Sequence, residues 1–113
     1  MPTYVDVELL SSMDNEMTRT VVIPERRDLL SVDQLLELVF VYGQNDFQPV
    51  RHRCSVSCGD VALIDRNQRY LCAGMGWLAI TEEWYQDYLA VPRQDRQLVR
   101  MRYENTVHEN MAR

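Results

Sequence analysis

His52, Cys54, Cys58 and Cys72 carry the residue types of a metal or nucleophilic site. Imidazole and thiolate together suit tetrahedral zinc, and a thiol beside an imidazole base is the pairing of a cysteine nucleophile. The spacing opposes both. No Cys-x-x-Cys occurs. Cys54 and Cys58 sit in a stretch that reads as extended, which separates them by roughly 13 Å at the rise of a strand. Nothing in the sequence supplies a third group to orient His52 as a base. The reading is therefore no metal, no cofactor, no catalytic residue and no enzyme, with the cysteines as small buried apolar groups. Gly74-Met75-Gly76 lacks the third glycine and the following helix of a dinucleotide loop. Glu82 and Glu83 are neighbours on a helix, so they diverge and suit its first turn better than an acid–base pair.

Two other constellations have binding chemistry. Arg93, Arg96 and Arg100 recur at helical spacing with Arg102 beside them, a pattern that can meet phosphate or an acidic partner. Trp84, Tyr85 and Tyr88, with Phe40 elsewhere, are residue types enriched at interface hot spots. The competing readings are a solvated helix face, with Arg96 exposed, and an aromatic cluster packed on a sheet.

These groups must be held by elements the pattern already outlines. Residues 3–9 alternate, with Val5, Val7 and Leu9 on one side and Asp6 and Glu8 on the other, so they form a half-buried strand. After a polar turn at 11–16, the β-branched run at 18–23 predicts an antiparallel partner, ended by Pro24. Ser31 and Gln34 spell a capping box, flanked by a Leu30–Leu35 staple. The helix they start runs over 32–42 to Gly43, expected as a left-handed stop. Val32, Leu35, Leu36 and Val39 are its core stripe. Leu38, Phe40 and Val41 widen the apolar arc, which predicts cover on more than one side. A loop at 44–49 and the Gly59-Asp60 turn lead to a strand at 61–65. A long strand apolar on both faces is expected over 69–80. Thr81 caps the next helix, Pro92 follows it, and 93–104 forms a further helix. The expectation is one α+β domain over 1–104, with an antiparallel sheet of about four strands packed by two or three helices in the order β-β-α-β-β-α-(α), and a frayed tail at 105–113.

Residues 34–80 resemble the YodL-like family. The resemblance rests on Leu35-Leu36-Glu37-Leu38, Phe47-Gln48-Pro49, Arg51-His52, Ser55-Val56-Ser57, Asp60-Val61, Tyr70 and Gly76-Trp77, which together span under half of the chain. It implies a small domain met in phages, plasmids and conjugative elements, alone or within large proteins that protect incoming DNA. The family carries no agreed catalytic residues. Cys58 and Cys72 depart from its pattern, where aliphatic residues are expected, which implies core positions for both.

Composition narrows the function classes. With 46% hydrophobic and 26% charged residues, the chain is a globular domain and not a disordered segment. All 12 basic residues are arginine, and the net charge is −5. Residues 1–91 hold 7 Arg against 14 acids, whereas 92–113 hold 5 Arg against 3 acids. The acidic body disfavours nucleic acid, but the basic end admits it. The odd cysteine count, the absence of a leader pattern and the lack of a ~20-residue apolar run predict a cytoplasmic protein without a membrane segment. The leading expectation is a non-enzymatic interaction protein of a mobile genetic element that binds a host protein, in an anti-defence or regulatory role. The alternative is a small nucleic-acid-binding regulator using the C-terminal arginines. The surplus of apolar surface also predicts a homodimer.

Overall fold

The computed structural model describes residues 2–10, 18–44, 56–74 and 76–111. Its elements are β1 (Thr3–Glu8), β2 (Thr18–Ile23), a single 3-10 turn (Arg27–Leu29), α1 (Val32–Tyr42), β3 (Val61–Ile64), β4 (Gln68–Ala73), β5 (Gly76–Ile80), α2 (Glu82–Ala90) and α3 (Arg93–Met111). The fold is α+β. Five strands form one antiparallel sheet in the order β2-β1-β3-β4-β5. The expected turn at 11–16 and most of the loop after α1 lie outside the described residues, as do His52 and Cys54.

The extra strand comes from a correction. The run over 69–80 is two strands, because the chain reverses between Ala73 and Gly76, which are register partners. Gly76 has φ +116, a conformation that side chains other than glycine resist. Each half alternates with period two, so the run reads as one strand; but the reversal shifts the phase, and Leu71 and Ile80, which a continuous strand would place on opposite faces, share one.

Alternation along the strands divides the core into two layers. Val5, Val7, Val21, Ile23, Ala62 and Ile64 face α1, where they meet Leu35, Leu36 and Val39. Val61, Leu71 and Ile80 point to the opposite face, under Tyr85 and Tyr88 of α2 and Val99 and Tyr103 of α3. Neighbouring residues of one strand fall in different clusters, as a period of two requires. Arg19 follows the same alternation onto the α1 face, and only 1% of it is exposed. Burial lowers its pKa.

Helix α1 begins as its sequence dictates. The Gln34 N–H donates to Ser31 Oγ at 3.2 Å, and the Ser31 N–H donates to Gln34 Oε1 at 3.0 Å. Its end differs from expectation. Gly43 is right-handed, with φ −70. Glycine is needed there for space: an added Cβ would lie 2.5 Å from both the Val39 carbonyl oxygen and Val56 Cγ2. Among the described residues the helix is covered on one side only, with Phe40 and Val41 exposed. At the far end, α3 reaches Met111, beyond the end expected at 104. Tyr103 Oη donates to the Ala79 carbonyl at 2.7 Å, and the Gly74 N–H donates to Glu104 Oε1 at 2.6 Å. These bonds tie the helix to the β4–β5 hairpin, a support that its own polar sequence does not advertise.

Candidate functional site

Strand β1 pairs with β2 along its whole length, from Thr3↔Ile23 to Glu8↔Thr18. With β3 it pairs only over Asp6↔Leu63, Val7↔Ala62 and Glu8↔Val61. Strand β3 cannot continue, because Asp65 and Arg66 adopt φ 52 and 62 and turn the chain into β4. Among the described residues, the first half of β1 therefore has no strand opposite its β3-side edge. A groove of about 1140 Å³ opens at this gap. Exposed Pro2 and half-buried Leu63 supply its accessible apolar surface, the core residues Val5 and Leu35 lie beneath, and Tyr4, Arg27, Asp65 and Arg66 stand around it.

Charges around the groove are mostly engaged with one another. Arg27 grips Asp65 with two bonds, Nε to Oδ1 at 2.9 Å and Nη2 to Oδ2 at 2.7 Å, and its Nη1 donates to the Leu30 carbonyl at 2.8 Å. That grip fastens the 3-10 turn to the β3–β4 turn and holds the Asp65 carboxyl below the usual carboxylate range. Arg26 and Asp28 form a second two-bonded pair on the rim. Thr20 Oγ1 donates to Asp6 Oδ1 at 2.7 Å. Arg66 is exposed, and no ion pair or side-chain hydrogen bond engages it among the described residues. An open strand edge, the apolar surface of Pro2 and Leu63, and one uncommitted guanidinium are the means of holding an extended peptide.

A second cluster lies on the α2 side of the sheet. Arg69 reaches Glu82 Oε2 at 2.9 Å and Glu8 Oε1 at 3.5 Å, with its Cζ 3.9 Å from the Tyr85 ring centroid. The Tyr85 hydroxyl donates to Glu8 Oε2. Burial first, and then the Glu8 carboxylate, push the Tyr85 phenol above the usual tyrosine range. Glu82 is held low by hydrogen bonds from Gln86 and then Arg69. Each charge here already has an opposite charge or donor, so the network braces α2 against β1 and β4.

The sequence-predicted site residues separate in the structure. Tyr85 and Tyr88 are buried, 4% and 1% exposed, so they do not form a contact surface. Tyr88 Oη donates to the Gly59 carbonyl at 3.0 Å. Trp84 is half-buried, stacked on Tyr88 at 5.0 Å and tilted against Tyr103 at 4.8 Å. Phe40 is exposed on α1, across the sheet from all three. The arginine stripe is corrected too. Arg96 is buried at 7% exposure, donating Nη2 to the Leu89 carbonyl at 3.1 Å, with its Cζ 5.7 Å from the Tyr88 ring centroid. Arg93 and Arg100 are half-buried, and of the four only Arg102 is exposed. Arg102 and Trp84, assigned to different surfaces by sequence, line the same shallow cleft between α2 and α3. The helical spacing was correct, but the stripe faces inward, because Val99 and Tyr103 on the same helix draw that side onto the sheet.

Cys58 is exposed, against the expectation of a core position, while Cys72 is buried. Among the described residues, no group of three or more His, Cys, Asp and Glu is placed to hold a metal ion, and no helix is long and apolar enough to cross a membrane. Sequence reasoning missed the groove and Arg69. The groove's origin is the mismatch between six-residue β1 and four-residue β3, which matters only because these two strands pair, a pairing no local pattern announces.

No family model, curated protein or solved structure matches this chain.

Proposed function

We propose that the chain is a non-enzymatic binding domain of a mobile genetic element, and that it engages a host protein through the groove beside β1. The observation that carries this reading is the half-paired β1. A strand edge that opens into a groove can accept an extended segment by adding a strand to the sheet. The resemblance of residues 34–80 to the YodL-like family supports the mobile-element setting. The closed character of the Arg27–Asp65 and Glu8–Arg69–Tyr85 contacts supports binding over catalysis, since a catalytic acid or base needs a proton to exchange with substrate. The nucleic-acid alternative loses support with the inward turn of Arg96.

The test is binding by groove variants. A host protein retained from lysate by the wild-type chain is identified and titrated calorimetrically against wild type and a Tyr4→Ala/Arg66→Gly double variant. Tyr4 is 64% exposed and Arg66 has the left-handed φ that glycine prefers, so the fold is kept. Affinity is expected to fall at least about tenfold. Equal affinity for the two proteins overturns the reading.

A further inference from the structure

A turn and a strand bring two cysteines to the same place. The Gly59 N–H donates to the Cys72 carbonyl at 2.8 Å, and the Cys72 N–H donates to the Asp60 carbonyl at 2.8 Å. Two residues of one segment thus oppose one residue of the other, with glycine at φ +103 in the first position, which is a G1 bulge. The Asp60 N–H closes a β-turn on the Ser57 carbonyl at 3.1 Å, and Asp60 Oδ2 accepts from the Ser57 N–H at 2.8 Å. Cys58 sits inside this doubly held turn, one residue from the bulge that clamps Cys72. Cys58 is exposed and Cys72 is buried. Each therefore has a different part to play in oxidation: one meets the oxidant, and the other waits beside it.

We propose that Cys58 and Cys72 form a reversible disulfide, a redox-responsive staple between the 57–60 turn and β4. With a peroxide as oxidant, the Cys58 thiolate attacks one peroxide oxygen and the O–O bond breaks. This leaves a sulfenic acid on Cys58 and releases one water after protonation. The Cys72 sulfur then attacks the Cys58 sulfur, the S–O bond breaks, a second water leaves, and the Cys72 proton passes to solvent. Two thiols are oxidised by two electrons and the peroxide is reduced to water. Proximity is further supported by the Cys72 thiol, which burial first and then the neighbouring Cys58 push up to about 12. Exposure makes Cys58 the first to meet the oxidant, and the burial of Cys72 beside it makes Cys72 the resolving partner. In a reducing compartment both thiols stay free, and in an oxidising one the ring closes.

The full chain carrying Cys54→Ser isolates this pair. Treated with hydrogen peroxide under non-reducing conditions, it is expected to lose about 2 Da with a Cys58–Cys72 linked peptide, and to recover both thiols with dithiothreitol. Its melting temperature is expected to rise by about 10 °C on oxidation, from the entropy of the closed loop. Cys58→Ser, at an exposed position, removes both effects without unfolding the protein. In wild type the same peptide link is expected even with Cys54 present. Free thiols after treatment, a sulfinic acid on Cys58, or a Cys54–Cys58 link in wild type overturns the proposal.

Discussion

Arg69 on β4 lies over the ring of Tyr85 on α2, its Cζ 3.9 Å from the ring centroid, while both residues hold the carboxylate of Glu8 on β1. Three elements meet at one acid. Tyr85→Phe keeps the ring and the cation above it but removes the donor to Glu8. A loss of about 1–2 kcal/mol is expected in urea unfolding, with an unchanged denaturant slope. Arg69→Met takes the only cation from between Glu8 and Glu82 in this cluster, and a larger loss is expected from it. Equal, negligible losses would show that Glu8 is served by solvent instead.

Arg96 anchors α3 and does not decorate it. Arg96→Ala is expected to cost about 2–3 kcal/mol, because carbonyls at Leu89 and Leu10 lose a charged donor and Tyr88 loses the group above it. Leu36→Asp, with a carboxylate placed at a site 3% exposed, is expected to prevent folding. Thermal melts in which Arg96→Ala matches wild type would put its guanidinium back in solvent.

Gly43 and Gly74 make a matched pair for a steric test. Gly43→Ala drives a methyl onto Val39 O and Val56 Cγ2, both at 2.5 Å, and about 1–3 kcal/mol is expected to be lost despite the permissive φ. At Gly74 the same methyl meets only Glu104 Oε1 at 3.7 Å, so Gly74→Ala is expected to be nearly neutral. Shortening Val56 to Ala relieves part of the Gly43→Ala loss, and the clash with the Val39 carbonyl keeps the rest. If chemical denaturation ranks the two glycines alike, the packing of α1 against Val56 is wrong.

Alkaline pH is expected to weaken the fold in a defined window. The native state holds the Cys72 thiol up at about 12 through burial and holds the Tyr85 phenol above the tyrosine range. The unfolded chain releases those protons near pH 8.5 and 10. Both folded values are raised, so their stabilisation is complete below about pH 8.5 and drains as pH climbs toward 12. Urea midpoints measured under reducing conditions between about pH 8 and 11 should fall steadily, and less steeply for Cys72→Ala and Tyr85→Phe. A midpoint constant over that range would contradict the burial of both groups. At the acid end the sign reverses: Asp65, held low by Arg27, contributes above the unfolded carboxylate pKa of about 4 and loses that contribution as pH falls through its folded value.

Removing residues 92–113 is expected to cause association. It strips Arg96, Val99 and Tyr103 from α2 and lays Tyr88 and Leu71 open. Light scattering at micromolar concentration should show oligomers for the truncated chain. A monomer with an unchanged melt would mean that α3 covers nothing essential.

What could be read from residue order alone is what short-range physics controls. The Ser31–Gln34 box and the Thr81 cap, whose Oγ1 accepts from Trp84 N–H at 3.0 Å, act within one turn of helix. They place the starts of α1 and α2 without any knowledge of the rest. Strand alternation in β1 is as local, and it assigned the inward faces of Val5, Val7 and Leu9 correctly; the β-branched run of β2 gave the strand but not the burial of Arg19. Everything that depends on a distant partner had to wait for the fold. Tyr85 finds Glu8 across 77 residues and Tyr103 finds Ala79 across 24, and no pattern in the sequence joins them. An arginine at helical spacing reads as exposed until its neighbours Val99 and Tyr103 turn that face inward. The groove is more remote still from any motif, because it arises from unequal strand lengths: β1 is long enough for β2 and too long for β3. A local signal sets a side chain's direction relative to its own element, but burial depends on which other elements arrive, and that is settled by the packing of the whole chain.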